Sequence, residues 1–276
     1  MAEQNIKILV ACHKADPNIR QNEVYMPIQV GKAVHSDLDL GFQCDNTGDN
    51  ISEKNGSYCE LTALYWAWKN LKDVDFIGLA HYRRYLDIEE KDMKKDLLSG
   101  KIIIPEEYVS PISNFEKLVS FIGYEDAYIM IDSILELYPE MRQSIIGYFF
   151  NSNKYSVFNM LITDANTFNR YCEFLFNILG LVEKRIIKSG YNRQRRTLGY
   201  MGEILLGLWL YENKGQLKRV STINGALKTN KYKLKLRNLI RTISFKMNNF
   251  PKEKEIPIYD AVTVGLKNNG ITLEHI

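Results

Sequence analysis

The sequence predicts an α/β fold with a mixed, mostly parallel central sheet. Three apolar runs, residues 6–12, 75–80 and 101–105, are short and continuous, as buried strands are. Segments with helical apolar spacing, foremost residues 58–71 and 167–186, alternate with them. This alternation is typical of a sheet covered by helices, and 276 residues suffice for one large domain or a domain with an appendage.

The first predicted strand is IKILVAC, residues 6–12. The amino-terminal run lacks the basic start and the long apolar centre of a signal peptide, which favours a strand. The strand is followed by His13 and Lys14, and another short element is expected within residues 25–34.

A turn-rich segment precedes the first predicted helix. DNTGDNISEKNGS, residues 45–57, is dense in residues that form turns through their own side chains. Ser57 and Glu60 then give the S-x-x-E pattern of a capping box, which predicts a helix over residues 58–71. DFIGLA, residues 75–80, is the next predicted strand.

The second half of the chain continues the alternation of strands and helices. The predicted elements are a strand at 101–105, two helices within 112–146, a strand at 154–164, and helices at 167–186 and 199–213.

The carboxyl-terminal part, residues 214–276, is predicted to be an extension of a domain that spans residues 1–213. Residues 214–254 hold twelve lysines and arginines and one acid, although the net charge of the whole chain is only +3. Within them, residues 231–250 predict a basic amphipathic helix. The apolar face of this helix consists of Leu236, Leu239, Ile240, Ile243 and Met247.

Two interpretations of this basic helix remain open. It lies in the interface of an anionic membrane, or it packs its apolar face on the rest of the protein and leaves its charges in solvent. Nucleic acid is not an expected partner, because the segment lacks the interleaved aromatic side chains on which bases stack. No run of about 18 apolar residues occurs, so no transmembrane helix is expected.

Several common sites are absent from the sequence. The four cysteines form no C-x-x-C pair, and reduced, mostly buried thiols in a cytosolic protein are expected. There is no phosphate-binding P-loop, no G-x-G-x-x-G, no H-E-x-x-H and no G-x-S-x-G. No D-x-D triplet follows an apolar strand either.

The segment HYRRY directly follows the strand at 75–80, where open α/β sheets bind their ligands. Arg83 and Arg84 suit a diphosphate, because guanidinium groups match phosphate geometry and stay charged. His81 and the hydroxyl of Tyr82 add donors. The alternative is a surface turn whose arginines pair with the acids that follow, Asp87, Glu89 and Glu90.

The loop DNTGDNIS offers carboxylate and amide oxygens. Asp45, Asp49 or Asn50 could accept hydrogen bonds from ribose or sugar hydroxyls, or hold Mg or Mn. The alternative is a turn that leads into the helix.

Three further residues have a functional and a structural interpretation each. Glu203 is either a general base or an acid favoured by the dipole of its helix. Asn159 is either a partner of a sugar hydroxyl or a strand-end cap, and His13 either contacts uracil or phosphate or is a solvated loop residue.

Five segments together resemble one bacterial family: ILVACHKAD, YMPIQVGKA, DNTGDNISEKN, ELTALYWAWKN and GLAHYRRY. The family comprises capsular and exopolysaccharide biosynthesis proteins, long described as a domain of unknown function. Its members are regarded as glycosyltransferases with a GT-A-like nucleotide-sugar-binding fold, and some are galactofuranosyltransferases. The likeness is close over residues 6–90 and looser to about residue 213.

The resemblance implies roles for matching residues. The end of the first strand, with His13 and Lys14, would contact the nucleotide. HYRR stands where a metal-binding D-x-D is found in GT-A enzymes, so the resemblance does not carry over a Mn or Mg cofactor. Arg83 and Arg84 would then neutralise the leaving diphosphate. Glu203 in GYMGE resembles the catalytic base of inverting members, with Asp87 as another candidate acid.

The resemblance also implies a reaction and its partners. A hexose, with galactofuranose as one candidate, would move from a UDP-sugar to a polyprenyl-diphosphate-linked oligosaccharide in capsule, exopolysaccharide or O-antigen biosynthesis. The protein would be cytoplasmic and peripheral at the inner face of the plasma membrane, held there by residues 214–254. The alternative function is a non-catalytic nucleotide-sugar-binding module of a polysaccharide assembly complex.

Overall fold

A computed structural model describes residues 4–188, 194–213, 215–224, 231–249 and 251–276. The chain forms two compact units, each built from three separate segments. The first unit comprises Met1–Glu107, Ser156–Glu173 and Gly215–Thr229, and the second comprises Tyr108–Tyr155, Phe174–Lys214 and Asn230–Ile276. The predicted domain boundary after residue 213 is a division of a different kind, between a domain and an extension, and it stays a prediction.

The first unit contains the large sheet. Its elements are β1 (Ile6–Cys12), β2 (Tyr25–Gln29), β3 (Gln43–Cys44), α1 (Asn55–Tyr58), α2 (Leu61–Asn70), β4 (Phe76–His81), β5 (Arg84–Leu86), α3 (Glu90–Leu98), β6 (Ile102–Pro105), β9 (Ile162–Asp164), the start of α7 (Ala165–Arg185), β10 (Leu217–Val220) and β11 (Thr222–Asn224). The predicted strands at 6–12, 75–80 and 101–105 are thereby confirmed as β1, β4 and β6.

The main path of the sheet has the strand order β10-β6-β9-β4-β1-β2-β3, with β5 and β11 paired beside it. β1 pairs in parallel with β2 and β4, and β10 pairs in parallel with β6. Only β9 runs against its neighbours within this described path. The predicted mixed, mostly parallel sheet is confirmed. The strand centres are apolar and fully enclosed, with Leu9, Val10 and Leu79 at 0% exposure.

The contact between β4 and β9 depends on Gly78. A Cβ atom at this position would lie 2.8 Å from the backbone oxygen of Leu161 and 2.7 Å from Cγ1 of Ile162. Neither distance is sterically possible, so only glycine allows β9 to approach this closely. This approach fixes where the chain before β9 emerges from the sheet.

Two local predictions are wrong. The segment 154–164 is not one strand, because the backbone turns at Phe158 and Asn159, both with positive φ, and strand structure resumes only at β9. Ser57 and Glu60 form no capping box, since Ser57 lies inside α1 and Glu60 precedes α2 without a capping hydrogen bond. The sharp turn at Cys59, with φ 53°, separates the two helices.

The second unit is mainly helical. Its elements are β7 (Tyr108–Val109), α4 (Asn114–Ile122), α5 (Tyr124–Leu137), α6 (Arg142–Ile145), β8 (Lys154–Tyr155), the end of α7, α8 (Thr197–Asn213), α9 (Lys231–Asn248) and α10 (Asp260–Asn268). The predicted helices at 167–186, 199–213 and 231–250 correspond to α7, α8 and α9. The two helices predicted within 112–146 are α4 and α5, which meet at Gly123.

Helix α9 is amphipathic as predicted. Its predicted apolar face does not pack on the rest of the protein, as one of the two interpretations required. Its buried side includes Phe245, which is 7% exposed, and Arg241, which donates to the backbone oxygen of Val109. The predicted apolar face points to solvent. No helix within the described residues is both long and apolar enough to span a membrane.

Asp126 in the first turn of α5 gives a testable pH effect. Burial raises its pKa to about 6, and the neighbouring charge of Glu125 adds to the shift. The unfolded chain would lose this proton near pH 4 while the folded protein keeps it to about pH 6, so native stability falls between these values.

Asp126→Asn should therefore raise the free energy of unfolding at pH 8 by about 2 kcal/mol, after allowance for partial solvent screening. At pH 4 the variant and the native protein should differ little. Thermal unfolding at both pH values measures this difference. Asp260→Asn, which changes an exposed acid in the first turn of α10, is the control and should show no such pH dependence.

Candidate functional site

The carboxyl ends of β1 and β4 lie side by side at one edge of the sheet. Ala11 is paired with His81, and the amide of Tyr82 donates to the backbone oxygen of Ala11 at 3.2 Å. Residues that follow these two strands therefore leave the sheet together. This is the place where open α/β sheets bind ligands, and it joins the predicted residues His13 and Lys14 to the HYRR segment.

Tyr82 forms the apolar base of this edge. Its side chain is 9% exposed, and the ring of His13 meets it edge-on at 5.0 Å between centroids. The ammonium group of Lys14 lies 6.0 Å from the same ring. His13 and Lys14 are themselves exposed, so the Tyr82 ring places a histidine and a lysine where a ligand can reach them.

Arg83 is oriented by Asp16. The Nε atom of Arg83 lies 2.7 Å from Oδ2 of Asp16, and the side chains are 57% and 6% exposed respectively. The hydrogen bond from Arg83 holds the pKa of Asp16 below its usual value. Asp16 engages Nε, one of the five N–H donors of the guanidinium, and the Arg83 side chain stays more than half exposed. Asp16 thus replaces the acids Asp87, Glu89 and Glu90 as the observed pairing partner of Arg83.

Arg84 and His81 are both fixed by Phe158. The guanidinium carbon of Arg84 lies 3.5 Å from the centre of the Phe158 ring, within the range of a cation–π contact. Nε2 of His81 lies 2.6 Å from the backbone oxygen of Phe158. Because a carbonyl oxygen only accepts, this nitrogen carries a proton and donates. The turn before β9 therefore positions two side chains of the HYRR segment.

Phe158 and Asn159 have φ values of 72° and 52°, a left-handed conformation that side chains with a Cβ rarely adopt. Asn159 is fully buried, and its amide donates to Oε1 of Glu60 at 2.8 Å. This bond anchors the turn to the start of α2. Two consecutive residues in this conformation indicate a strained backbone. The strained turn positions Phe158 against Arg84 and His81.

Asp45 is a structural residue at the base of the DNTGDNIS loop. It is 0% exposed and accepts hydrogen bonds from two backbone amides, those of Gly31 and Lys32, at 2.8 and 3.2 Å. The hydroxyl groups of Ser52 and Thr62 also donate to it. These four bonds hold three segments together. A ligand contact by Asp45, as predicted from the sequence, would require one of them to break.

Asp49 and Asn50 take part in the turn itself. The hydroxyl of Tyr65 donates to Asp49 at 3.2 Å, and the Asn50 amide donates to the backbone oxygen of Gly48 at 2.9 Å. The side chain of Asn70 holds both backbone polar groups of Asp49. The turn interpretation of the loop is thus observed, while the exposed Asp49 remains a predicted contact for sugar hydroxyls.

The two candidate acids lie in different units. Asp87 follows β5 in the first unit, is exposed, and accepts from the hydroxyl of Ser221 at 3.0 Å. Glu203 is half-buried in the second turn of α8 in the second unit. Burial, and next the negative charge of Glu203, raise the pKa of the Tyr155 hydroxyl.

No metal site is evident among the described residues. Within them, no group of three or more histidine, cysteine, aspartate or glutamate side chains is placed to hold a metal ion. The same sheet edge instead gathers lysine, arginine and histidine side chains. We call His13, Lys14, His81, Arg83 and Arg84 the basic cluster.

Three residues of this edge were not predicted from the sequence to contribute to the site: Asp16, Glu60 and Phe158. Asp16 lies 67 residues before its partner Arg83. Phe158 lies 77 residues after its partner His81. Glu60 was assigned to a capping box and instead binds the side chain of Asn159. A signal for Asp16 did exist, since it lies in the loop directly after β1, at the same edge.

The chain is similar to a solved structure described as the apo form of the WbbM bifunctional glycosyltransferase. The sequences are 28% identical, the TM-score is 0.71, and the likeness covers 82% of this chain. It covers 47% of the other chain, so this protein spans about half the length of that one. No curated protein matches the sequence. The structural likeness confirms a GT-A-like α/β fold.

The sequence also matches the family model described as Domain of unknown function (DUF4422) over residues 7–214. These residues include β1 to β9, the basic cluster, and α8 with Glu203. The match therefore covers both candidate acids and well over half of the chain. The protein belongs to the DUF4422 family.

Proposed function

We propose that this protein is a glycosyltransferase that moves a hexose from a UDP-sugar to an oligosaccharide acceptor. The observation that carries the proposal is the basic cluster at the carboxyl edge of a GT-A-like sheet. The likeness to a bifunctional glycosyltransferase supports the reaction class. Galactofuranose is the candidate sugar, on the basis of the family resemblance in the sequence.

The diphosphate of the donor is assigned to Arg83 and Arg84. Arg83 is held by Asp16 through Nε while its side chain stays 57% exposed, and Arg84 is held by the ring of Phe158. Both guanidinium groups are thus oriented before a ligand binds, which reduces the cost of ordering them. As the bond to the sugar breaks, negative charge grows on the departing UDP, and fixed positive charge stabilises it.

The nucleotide base and ribose are assigned to the side of the site formed by His13, Lys14 and Tyr82. His13 and Lys14 are exposed beside the arginines assigned to the diphosphate, and the buried ring of Tyr82 supports both of them. Asp49 and Asn50 are the proposed partners of sugar or ribose hydroxyls. Asn159, which is buried and bonded to Glu60, is assigned to positioning the turn that holds Arg84 and His81.

The proposed reaction is a single inverting displacement. The acceptor hydroxyl attacks the anomeric carbon, the bond to the diphosphate oxygen breaks, and UDP leaves with the electron pair. A carboxylate takes the proton of the hydroxyl. Glu203 is the first candidate for this base, by its place in GYMGE, and Asp87 is the second.

The proposed acceptor is a polyprenyl-diphosphate-linked oligosaccharide of capsule, exopolysaccharide or O-antigen biosynthesis. This assignment follows the family resemblance and places the protein in the cytoplasm, at the inner face of the plasma membrane. The strongly basic segment 214–254 fits a location beside anionic lipids.

Replacing the candidate base should separate binding from turnover. Glu203→Gln should lower kcat for UDP release by about 100-fold or more, because general base catalysis typically contributes that much. The donor Kd should change little, since Glu203 is not assigned to the donor. Transfer to a lipid-linked acceptor and calorimetric binding of the donor measure the two effects.

Asp87→Asn is the matched variant, with the same loss of one negative charge. A large loss of kcat in Asp87→Asn and none in Glu203→Gln would reassign the base to Asp87. If both variants and the native protein bind the donor without any turnover, the non-catalytic binding module is the correct function.

A further inference from the structure

Helix α9 presents an apolar stripe to solvent. The stripe consists of Tyr232, Leu236, Leu239, Ile240, Ile243 and Met247. Their exposed fractions range from 50% at Ile243 to 86% at Tyr232. Single exposed apolar residues are common, but six on one helix face form a patch that monomeric proteins rarely leave uncovered. Something other than water is therefore expected against this face.

The opposite face of α9 is occupied by the second unit. Phe245 is buried, and Arg241 donates to the backbone oxygen of Val109 at 3.1 Å. The guanidinium carbon of Arg241 also lies 4.9 Å from the centre of the Tyr108 ring. The helix is thus attached to the second unit through one face. The apolar stripe lies on the opposite face, which is exposed to solvent.

Lysines flank the stripe on both sides. At 100° per residue, the stripe covers roughly a third of the helix circumference, with Lys235 and Lys246 beside one margin and Lys233 beside the other. Within Lys231–Asn248 there are six lysines and arginines and no acid. Long lysine side chains at the margins of an apolar face can reach anionic headgroups while the apolar side chains enter the acyl boundary.

The same charges argue against a second copy of this chain as the occupant. Two such helices placed face to face would bring two sets of lysines together with no acid between them in Lys231–Asn248. Like charges at a contact oppose association. An anionic lipid surface satisfies the apolar stripe and the lysines at once.

We infer that α9 docks the protein on an anionic membrane surface, with the apolar stripe in the interface and the flanking lysines on lipid headgroups. This inference extends the membrane location in the proposed function, and names the residues that make the contact. It does not depend on catalysis, because vesicle binding needs neither donor nor acceptor.

The test is co-sedimentation of the full chain with vesicles of equal parts phosphatidylcholine and phosphatidylglycerol, and with vesicles of phosphatidylcholine alone. The protein should bind the anionic vesicles and bind the neutral ones far more weakly. Ile240→Ser with Ile243→Ser should weaken anionic vesicle binding about tenfold or more. Lys235→Gln with Lys246→Gln should weaken it about fivefold for each lysine, an effect that added salt should reduce.

Two double variants are matched controls. Leu98→Ser with Val264→Ser removes apolar side chains that are 60% and 57% exposed on other helices. Lys91→Gln with Lys95→Gln removes the same charge from α3. Both controls should bind vesicles as the native protein does. Since every substituted side chain is exposed, circular dichroism should show each variant folded.

Three outcomes would overturn the inference. Absence of binding to anionic vesicles, or equal losses in the controls, would show that α9 is not the docking element. A dimer that the stripe variant converts to monomer, with vesicle binding unchanged, would assign the stripe to a second copy. A protein that binds anionic vesicles but no UDP-sugar would support this inference and refute the proposed function. A protein that binds a UDP-sugar but no vesicles would refute this inference and leave the proposed transferase activity standing.

Discussion

Arg83→Ala should weaken binding of the UDP-sugar about 30-fold or more and lower turnover, with the fold unchanged. The guanidinium is 57% exposed, so its loss leaves no cavity. It also supplies charged donors to the diphosphate, which are worth more than neutral ones. Calorimetry gives the donor Kd, and circular dichroism with thermal unfolding gives the state of the fold.

Arg170→Ala is the control for the loss of one positive charge. Arg170 is exposed on α7, near the end of β9 that faces away from the basic cluster. Its replacement should leave the donor Kd within about twofold, because exposed charges beyond a Debye length are largely screened. If Arg83→Ala binds the donor as tightly as Arg170→Ala does, Arg83 does not hold the diphosphate. If Arg83→Ala unfolds, the HYRR segment is structural.

Asp45→Ala should lower the free energy of unfolding by about 4 kcal/mol. The carboxylate is fully buried and accepts four hydrogen bonds, two of them from backbone amides. Its removal leaves buried donors without an acceptor, which costs more than the bonds themselves contribute. Denaturant unfolding measures the difference.

Asp39→Ala is the control in the same part of the chain. Asp39 is exposed and accepts a hydrogen bond from the amide of Gly41. Its replacement should change the free energy of unfolding by about 0.5 kcal/mol or less. A stable Asp45→Ala variant with weakened donor binding would instead support the ligand contact that the sequence predicted for Asp45.

The strands and long helices were predictable because their signals are local. β1 is an uninterrupted apolar run, and α7 repeats its apolar side chains at helical spacing over 21 residues. The order of these elements was enough to expect a mostly parallel sheet. It was also enough to place HYRR at the edge where ligands bind.

The turn at Phe158 was not predictable, because phenylalanine rarely adopts the left-handed region, although asparagine, the next residue, does so more often. The pattern SVFNMLITD therefore indicated one strand. The conformation is imposed by distant contacts, the bond from Asn159 to Glu60 and the packing of Arg84 on Phe158. Those contacts join residues more than 70 positions apart.

The strands β10 and β11 were missed for a different reason. They lie in the basic segment, where LKRV and TIN carry little apolar pattern. β10 is a strand because it pairs in parallel with β6, more than a hundred residues earlier. The pairing makes residues Leu217–Val220 a component of the sheet.

The basic cluster as the site of the donor diphosphate is tested most directly by calorimetry of the native protein with a panel of UDP-sugars, in EDTA and with Mn²⁺. The proposal predicts tight binding that persists in EDTA, because Arg83 and Arg84 supply the positive charge. Binding that appears only with Mn²⁺ would move the diphosphate contact to acids such as Asp49 or Asp87. Absence of binding under both conditions would contradict the proposal outright.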